Sequence, residues 1–317
     1  CSLDSINDAR NIAVDLGFHH NILDIREEFG DYVIDYFTDE YMIGRTPNPC
    51  VLCNTHIKWE ALLKRADKLG CDFIATGHYA NINEKSGRYF ISKGKDLNKD
   101  QSYALWGINQ KNLSRTIFPL GSLEKDEIKK IALDRGYDNL VKKSESYEIC
   151  FVPDNDYRSF LKKRVSNIDK VIKKGDFITE DGQTVGTHQG YPFYTIGQRK
   201  GLGLALGYPI YVTNIDVEKN TVTVGTFDEL KRNGMYVDKL NFMKYDNIDG
   251  RLNAYTKIRY NDSGNPSVIE KVGDTMKVYF GAGVNAITPG QAAVFYEDND
   301  VIAVSYTHLR AHETFRY

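Results

Sequence analysis

The sequence predicts an α/β domain followed by two small modules built mainly of β-hairpins. Two observations carry this. Helical and strand-like apolar patterns alternate through the first half, as in folds that wind helices around a parallel sheet. Beyond about residue 170 the pattern becomes short alternating runs separated by turn residues, the chemistry of antiparallel hairpins.

In chain order, Ile6, Ala9, Ala13 and Leu16 recur at helical spacing from Ser5 to Gly17. His20 to Ile25 reads as a short apolar strand. A second helix carries Phe29, Tyr32, Val33, Tyr36, Phe37 and Tyr41 and stops at Gly44. Pro47 and Pro49, two apart, predict an extended loop. Asn54 is then expected to cap a helix running to about Leu69. Asp72-Phe-Ile-Ala-Thr-Gly77 has the composition of a buried parallel strand with a glycine exit.

In the second half, Asp181-Gly182, Glu218 to Asn220, Asp262 to Gly264 and Glu297 to Asp300 separate alternating runs, and Gln291 to Tyr296 with Val301 to Ala303 reads as a closing hairpin. The expected units are residues 1–152, 153–222 and 223–304. Residues 305–317 show neither alternation nor turn logic and are expected to be a non-native or frayed tail. His308 and His312, four apart, could share a helix face with Glu313 as metal ligands, but an unrelated tail is the expected reading. The chain opens at Cys1 inside a helical pattern, so an upstream segment is expected.

Composition narrows the class. Hydrophobic residues make up 41% and charged ones 26% of 317 residues, with no apolar run approaching the ~20 residues of a bilayer helix, so no membrane partner is expected. Five cysteines are too few and too scattered for a disulfide framework, which fits a reducing, cytoplasmic setting. The net charge of −2 advertises no global attraction to nucleic acid. It conceals an asymmetry, however. Residues 1–60 carry eleven acids against four bases, whereas 157–174 carry Arg158, Lys162, Lys163, Arg164, Lys170, Lys173 and Lys174 against Asp169 alone. Such a stripe reads as a solvated helix face more often than as a nucleic-acid surface.

The densest chemistry lies in Gly44-Arg-Thr-Pro-Asn-Pro-Cys50-Val-Leu-Cys53-Asn54. A Cys-x-x-Cys suits half a zinc site, a redox pair, an iron–sulfur anchor or a reactive thiol with a neighbour. A structural zinc site needs two further ligands, normally paired, and Cys71 and Cys150 are unpaired in sequence. Placed beside the start of the predicted helix, Cys53 is expected to have a lowered thiol pKa. Cys150, flanked by Ile149, Phe151 and Val152, reads by itself as a buried, inert cysteine, and Cys71 as structural.

Five motifs then occur in order: Arg45-Thr-Pro-Asn-Pro with Cys53-Asn54; Ala75-Thr-Gly-His-Tyr79; Lys99-Asp-Gln101; Glu148-Ile-Cys-Phe151; and Phe193-Tyr-Thr-Ile-Gly-Gln-Arg-Lys-Gly-Leu-Gly203. Together they resemble the tRNA-specific 2-thiouridylase (MnmA/TrmU) family over residues 1 to about 303. The resemblance implies an adenine-nucleotide hydrolase-like (PP-loop ATPase) α/β domain with a parallel sheet, a small mixed central domain and a C-terminal antiparallel β-barrel. It also implies synthesis of 2-thiouridine at the wobble position of tRNA, with ATP (and Mg2+) adenylating the C2 oxygen and a persulfide-carrying protein donating sulfur. No DNA partner is implied. The glycine-rich loop that cradles ATP phosphates in the family does not occur in the chain, so this polypeptide alone is expected to be inactive, or to act only as a tRNA-binding fragment.

By the same resemblance Cys150 carries the persulfide and Cys53 is the partner thiol, the two closing to a transient disulfide. Asn48, Pro49 and Cys50 are implied to contact the target base and Gly77 the nucleotide. His78, Lys99, Asp100, Gln101, Arg199, Lys200, Arg259, Tyr260 and Gln291 are implied to contact tRNA. No resident metal is implied. Many family members carry Asp where this chain has Cys50, which gathers three candidate thiols and leaves open a mechanism based on an iron–sulfur cluster. An unrelated Cys-x-x-Cys oxidoreductase, which would join Cys50 to Cys53, is the third reading. With the resemblance in hand, the basic stripe and Arg199-Lys200 are read as phosphate contacts.

Overall fold

The computed structural model describes residues 3–143, 149–152 and 156–306. Glu148, with the rest of 144–148, and residues 307–317 of the tail lie outside the described residues.

The opening helix spans Leu3–Asp15, and Gly17 beyond it adopts a positive φ of 72°. The segment from His20 to Ile25 is not a strand. A strand requires a neighbour to satisfy its backbone, and no described strand borders this segment, whose residues 21–24 are exposed. Arg26–Phe29, Gly30–Asp35 and Tyr36–Met42 run on as a single helix with a π-helical middle. It buries Val33, Phe37 and Tyr41 and ends before Gly44, whose φ is 74°.

The next helix begins five residues before the predicted capping residue. Pro49 occupies its first turn, and the helix continues as Pro49–Leu52, a π-helical stretch Cys53–Ala61, and Leu62–Lys68. Proline is compatible with a first turn because the amide it lacks would be unpaired there. Asn54 therefore lies inside the helix, and its Nδ2 donates to the Ala104 carbonyl at 2.7 Å instead of capping.

Four strands follow: β1 (Ile74–Ala75), β2 (Ala80–Lys85), β3 (Arg88–Lys93) and β4 (Thr116–Ile117). β1 and β4 form the parallel pair. The hairpin of β2 and β3, which the sequence reading did not separate from the α/β half, belongs to the C-terminal sheet.

The central module holds β5 (Gly175–Ile178), β6 (Thr184–His188), β7 (Tyr211–Asp216) and β8 (Thr221–Gly225), ordered β6-β5-β8-β7. β5 and β8 run parallel and the other pairs antiparallel, so the module is mixed. Its core of Phe177, Phe193, Val212 and Val222 takes in Phe37 and Tyr41 from the first half.

The last unit comprises β9 (Lys231–Phe242), β10 (Arg251–Lys257), β11 (Asn265–Val272), β12 (Thr275–Asn285), β13 (Ala292–Glu297) and β14 (Asp300–Tyr306). The antiparallel order β13-β10-β11-β12-β9-β14 closes through β13–β14 into a six-stranded barrel. Strand β14 extends to Tyr306, past the predicted end of ordered sequence at 304. Strand β13 is a continuous apolar run because both of its faces are covered. Phe295 points into the barrel core with Val278 and Phe280, while Val294 and Tyr296 pack outward against Trp59, Tyr103 and Ile91. This second layer joins the α/β half to the barrel. No helix among the described residues is long and apolar enough to cross a membrane.

Candidate active site

The segment from Gly44 to Pro49 is held by both downstream units. The Thr46 amide donates to the Pro289 carbonyl at 2.8 Å. Gln291 Nε2 donates to the carbonyls of Thr46 and Pro47, at 3.0 Å each, and the Thr46 and Thr195 hydroxyls meet at 3.3 Å. On the central-module side, Tyr191 donates to the Met42 carbonyl at 2.6 Å.

Gly290 permits this closeness, having a φ of +92° and standing where a Cβ would lie 2.6 Å from the Thr46 carbonyl oxygen. Gly290→Ala is therefore expected to lose about 1–3 kcal/mol and to release the loop that carries the thiols. Urea unfolding measures the first effect and the alkylation rate of Cys50 the second.

Pro49 and Val51 are buried, fixing the first helical turn, and Cys50 between them keeps an exposed face. Cys53, one turn on, is partly buried. Burial pushes both thiols above the ordinary value. That corrects the expected lowering at Cys53: the helix starts at Pro49, and desolvation is the largest influence on the group.

Cys150 is exposed, not buried. Its apolar neighbours act as an anchor: Phe151 packs edge-on against Phe37, Phe160 and Phe29 with ring centres 5.2, 5.5 and 5.7 Å apart. The Val152 amide closes a turn onto the Ile149 carbonyl at 2.9 Å, which leaves Cys150 at the tip. Cys150 acts electrostatically on Cys50 and Cys53, so the three thiols share one neighbourhood. All are free thiols, as is the exposed Cys71, which buries nothing. Among the described residues no group of three or more His, Cys, Asp or Glu is arranged to hold a metal ion.

Lys58, absent from the sequence-derived set, also reaches Cys50 and Cys53 electrostatically. Its Nζ stands 3.2 Å from His78 Nε2, and His78 Nδ1 stands 2.8 Å from Thr76 Oγ1. With the proton on Nδ1, the ring donates to Thr76 and accepts from Lys58. His78 is buried beside Trp59 and Phe118. The structure therefore supports the satisfied-histidine reading of its side chain and not an open contact surface. Burial and the Lys58 charge push its pKa down to about 3.

The folded protein consequently resists protonating His78, whereas the unfolded chain protonates near 6.5. Stability is fully present above pH 6.5 and is lost as pH falls toward 3, at up to about 1.4 kcal/mol per pH unit. His78→Gln, which does not titrate, is expected to flatten the urea-measured stability between pH 7 and 5.

The remaining candidates fall into two groups. Arg199, Lys200, Arg259 and Tyr260 are exposed, and Lys99 is half-buried. Asp100 and Gln101 turn inward. The Asp100 carboxylate accepts from the amides of Gly94 and Ser102 and from the Ser102 hydroxyl. Gln101 Oε1 accepts from the Tyr79 amide at 3.0 Å. Gln291 is the brace on the thiol loop, a role its position just before β13 did not disclose in sequence.

Asn48 is the residue before the first helical turn. Gly77 is exposed just past the carboxyl end of β1, the edge where open parallel sheets bind ligands. The loop Thr195 to Lys200 is held by Gln198, whose side chain bridges the Thr195 amide and the Lys200 carbonyl. With Arg158 and Tyr157 it lines a groove of about 620 Å³.

The fold and site define a three-unit protein with an α/β nucleotide-type domain, free thiols at the junction, and a basic loop on the central unit. Family profiles agree: residues 1–154 match one described as the tRNA methyl transferase HUP domain, 158–226 its PRC-barrel domain, and 232–303 an aminomethyltransferase β-barrel domain. The chain is similar to the tRNA-specific 2-thiouridylase MnmA of Amoebophilus asiaticus, 69% identical over 95% of this chain and 81% of the relative. It is 65% identical to that of Cytophaga hutchinsonii, over 95% and 82%, and 55% identical to that of Salinibacter ruber, over 97% and 81%. The chain belongs to the tRNA-specific 2-thiouridylase family.

Proposed function

We propose that the protein replaces the C2 oxygen of the tRNA wobble uridine by sulfur. ATP, when bound, turns that oxygen into a leaving group by adenylation, and exposed Gly77 at the strand edge leaves room for the nucleotide's close approach.

Cys150 receives a terminal sulfur from a persulfide-carrying protein. The Cys53 thiolate attacks the inner sulfur of that persulfide. The terminal sulfur leaves as hydrosulfide, which displaces AMP at C2, and the two thiols close to a disulfide. Two thiol electrons reduce the sulfane sulfur, and an external thiol reductant resets the pair.

The single observation that carries this reading is the shared neighbourhood of an exposed Cys150 and the thiols of the 44–53 segment. Asn48 and Cys50 form the base-facing edge, while Pro49, implied to touch the base, is buried and instead sets the helical turn between them. Arg199, Lys200, Arg259, Tyr260 and Lys99 meet phosphates and sugars. His78, Asp100, Gln101 and Gln291 serve tRNA by shaping the loops that touch it. The units responsible are the α/β half, the central module that ends with β8 at Gly225, and the barrel of β9 to β14.

The test incubates the protein with unmodified tRNA, ATP and a persulfide donor and separates thiolated tRNA on a mercury-containing gel. A retarded band supports the reading and defeats the expectation that this chain is inactive or only binds tRNA. tRNA binding without any band would leave only a binding protein, and a Cys50–Cys53 disulfide in peptide maps after turnover would favour the oxidoreductase.

A further inference from the structure

Lys58 is a half-buried cation in the thiol neighbourhood that the proposed sulfur chemistry does not use. It stands five residues after Cys53 on the π-helical stretch Cys53–Ala61, where i→i+5 backbone bonding brings residues five apart over one another. Its ammonium is steered by an inward-facing chain: Thr76 Oγ1 holds His78 Nδ1 at 2.8 Å, and His78 Nε2 holds Lys58 Nζ at 3.2 Å. Among the described residues no carboxylate lies within ion-pair distance of Lys58. With an uncharged holder and no acidic partner among the described residues, the Lys58 ammonium acts on Cys50 and Cys53, whose thiolates it favours.

We propose that Lys58, aimed by His78, is the positioning residue that stabilises the Cys53 thiolate and so sets which thiol attacks. This rests on the sulfur-transfer reading of the site but makes a claim about the thiols alone. On deprotonation the Cys53 proton leaves to solvent and Lys58 keeps its own.

Among the described residues, the charged and titratable groups acting on Cys53 are Lys58, Cys150 and Cys50. Lys58 favours the thiolate, whereas the other two oppose it when ionised. The π-helical spacing sets Lys58 over Cys53, whereas Cys50 lies before that stretch, so the lysine singles out Cys53. His78 faces Lys58 in turn and stays neutral under its influence. A cationic imidazole would push the ammonium away, so the same burial that keeps His78 neutral keeps the lysine in place.

The test measures iodoacetamide alkylation of each cysteine by peptide mass spectrometry between pH 6.5 and 10.5, in the free protein without tRNA or ATP. Cys71, exposed and outside this neighbourhood, is the internal reference. Lys58→Met is expected to slow Cys53 at pH 7.5 by about tenfold relative to Cys71, which corresponds to a thiol pKa one unit higher. Lys58→Arg is expected to stay within about twofold of the unmutated protein. His78→Leu, with Lys58 intact, is expected to give an intermediate loss of about threefold. A variant that unfolds would expose Cys53 and speed its alkylation, so misfolding does not mimic the expected result. Equal Cys53 rates in Lys58→Met and the unmutated protein would overturn the proposal, as would equal slowing by Met and Arg, which would mark Lys58 as a packing element. Failure of tRNA thiolation with this alkylation pattern intact would count against the sulfur-transfer reading alone.

Discussion

A Cys150→Ser protein is expected to make no thiolated tRNA, a loss of about 10³-fold or more, while binding tRNA as before. A hydroxyl cannot carry a sulfane sulfur. Cys150 is exposed at the tip of a turn whose position is fixed by Phe151 and not by its own side chain, so exchanging sulfur for oxygen there is expected to change stability by less than about 0.5 kcal/mol. Cys53→Ser should fail differently. Cys150 still accepts sulfur, but nothing releases it, so the peptide holding Cys150 gains the mass of one sulfur atom after exposure to the donor. Mass spectrometry of the two variants separates carrier from resolver. Product formation by Cys150→Ser, or no retained sulfur in Cys53→Ser, would sink these assignments.

The largest expected change in stability comes from Trp59→Ala, a loss of about 3–5 kcal/mol measured by urea unfolding. Trp59 is fully buried. Its indole Nε1 donates to Thr116 Oγ1 at 2.7 Å, which ties the thiol-bearing helix to β4. Its ring packs beside Phe118 and His78, at 6.0 and 5.6 Å between centres, and shares the layer against the barrel with Tyr296 and Val304. Truncation opens a cavity where the α/β half and the barrel meet. It also loosens the wall behind His78, so Cys53 reactivity is expected to drift along with stability. Trp59→Phe, which keeps much of the volume and loses the hydrogen bond, should lose less. An Ala variant within 1 kcal/mol of the parent would contradict this.

Much of the fold was legible in the sequence because its signals are local. Turn residues at Asp181-Gly182 and Asp262 to Gly264 mark hairpins found in the structure, and the glycine after Ile74-Ala75 marks the exit of a parallel strand. The misreadings share a cause in non-local context. His20 to Ile25 has a strand's composition but no partner. Pro49 was read as a breaker where it opens a helix. The flank of Cys150 was read as burial of the cysteine, when Phe151 alone is drawn inward. Lys58 escaped notice because α-helical geometry sets residues five apart about 140° around the axis, and only the π-helical stretch brings it over Cys53.

The hairpin of β2 and β3 bears on how the chain folds as it is made. Ser92 in β3 bonds Asp300 in β14 across 208 residues of sequence. At about 5–20 residues per second, synthesis leaves the hairpin waiting roughly 10–40 s for its partner. During that interval Phe90 and Ile91, fully packed in the finished protein, lie bare beside an unpaired strand edge, the surface that aggregation exploits. The first half of this protein is therefore expected to need shelter on the ribosome until the last strand emerges, even though most of its helices are complete long before.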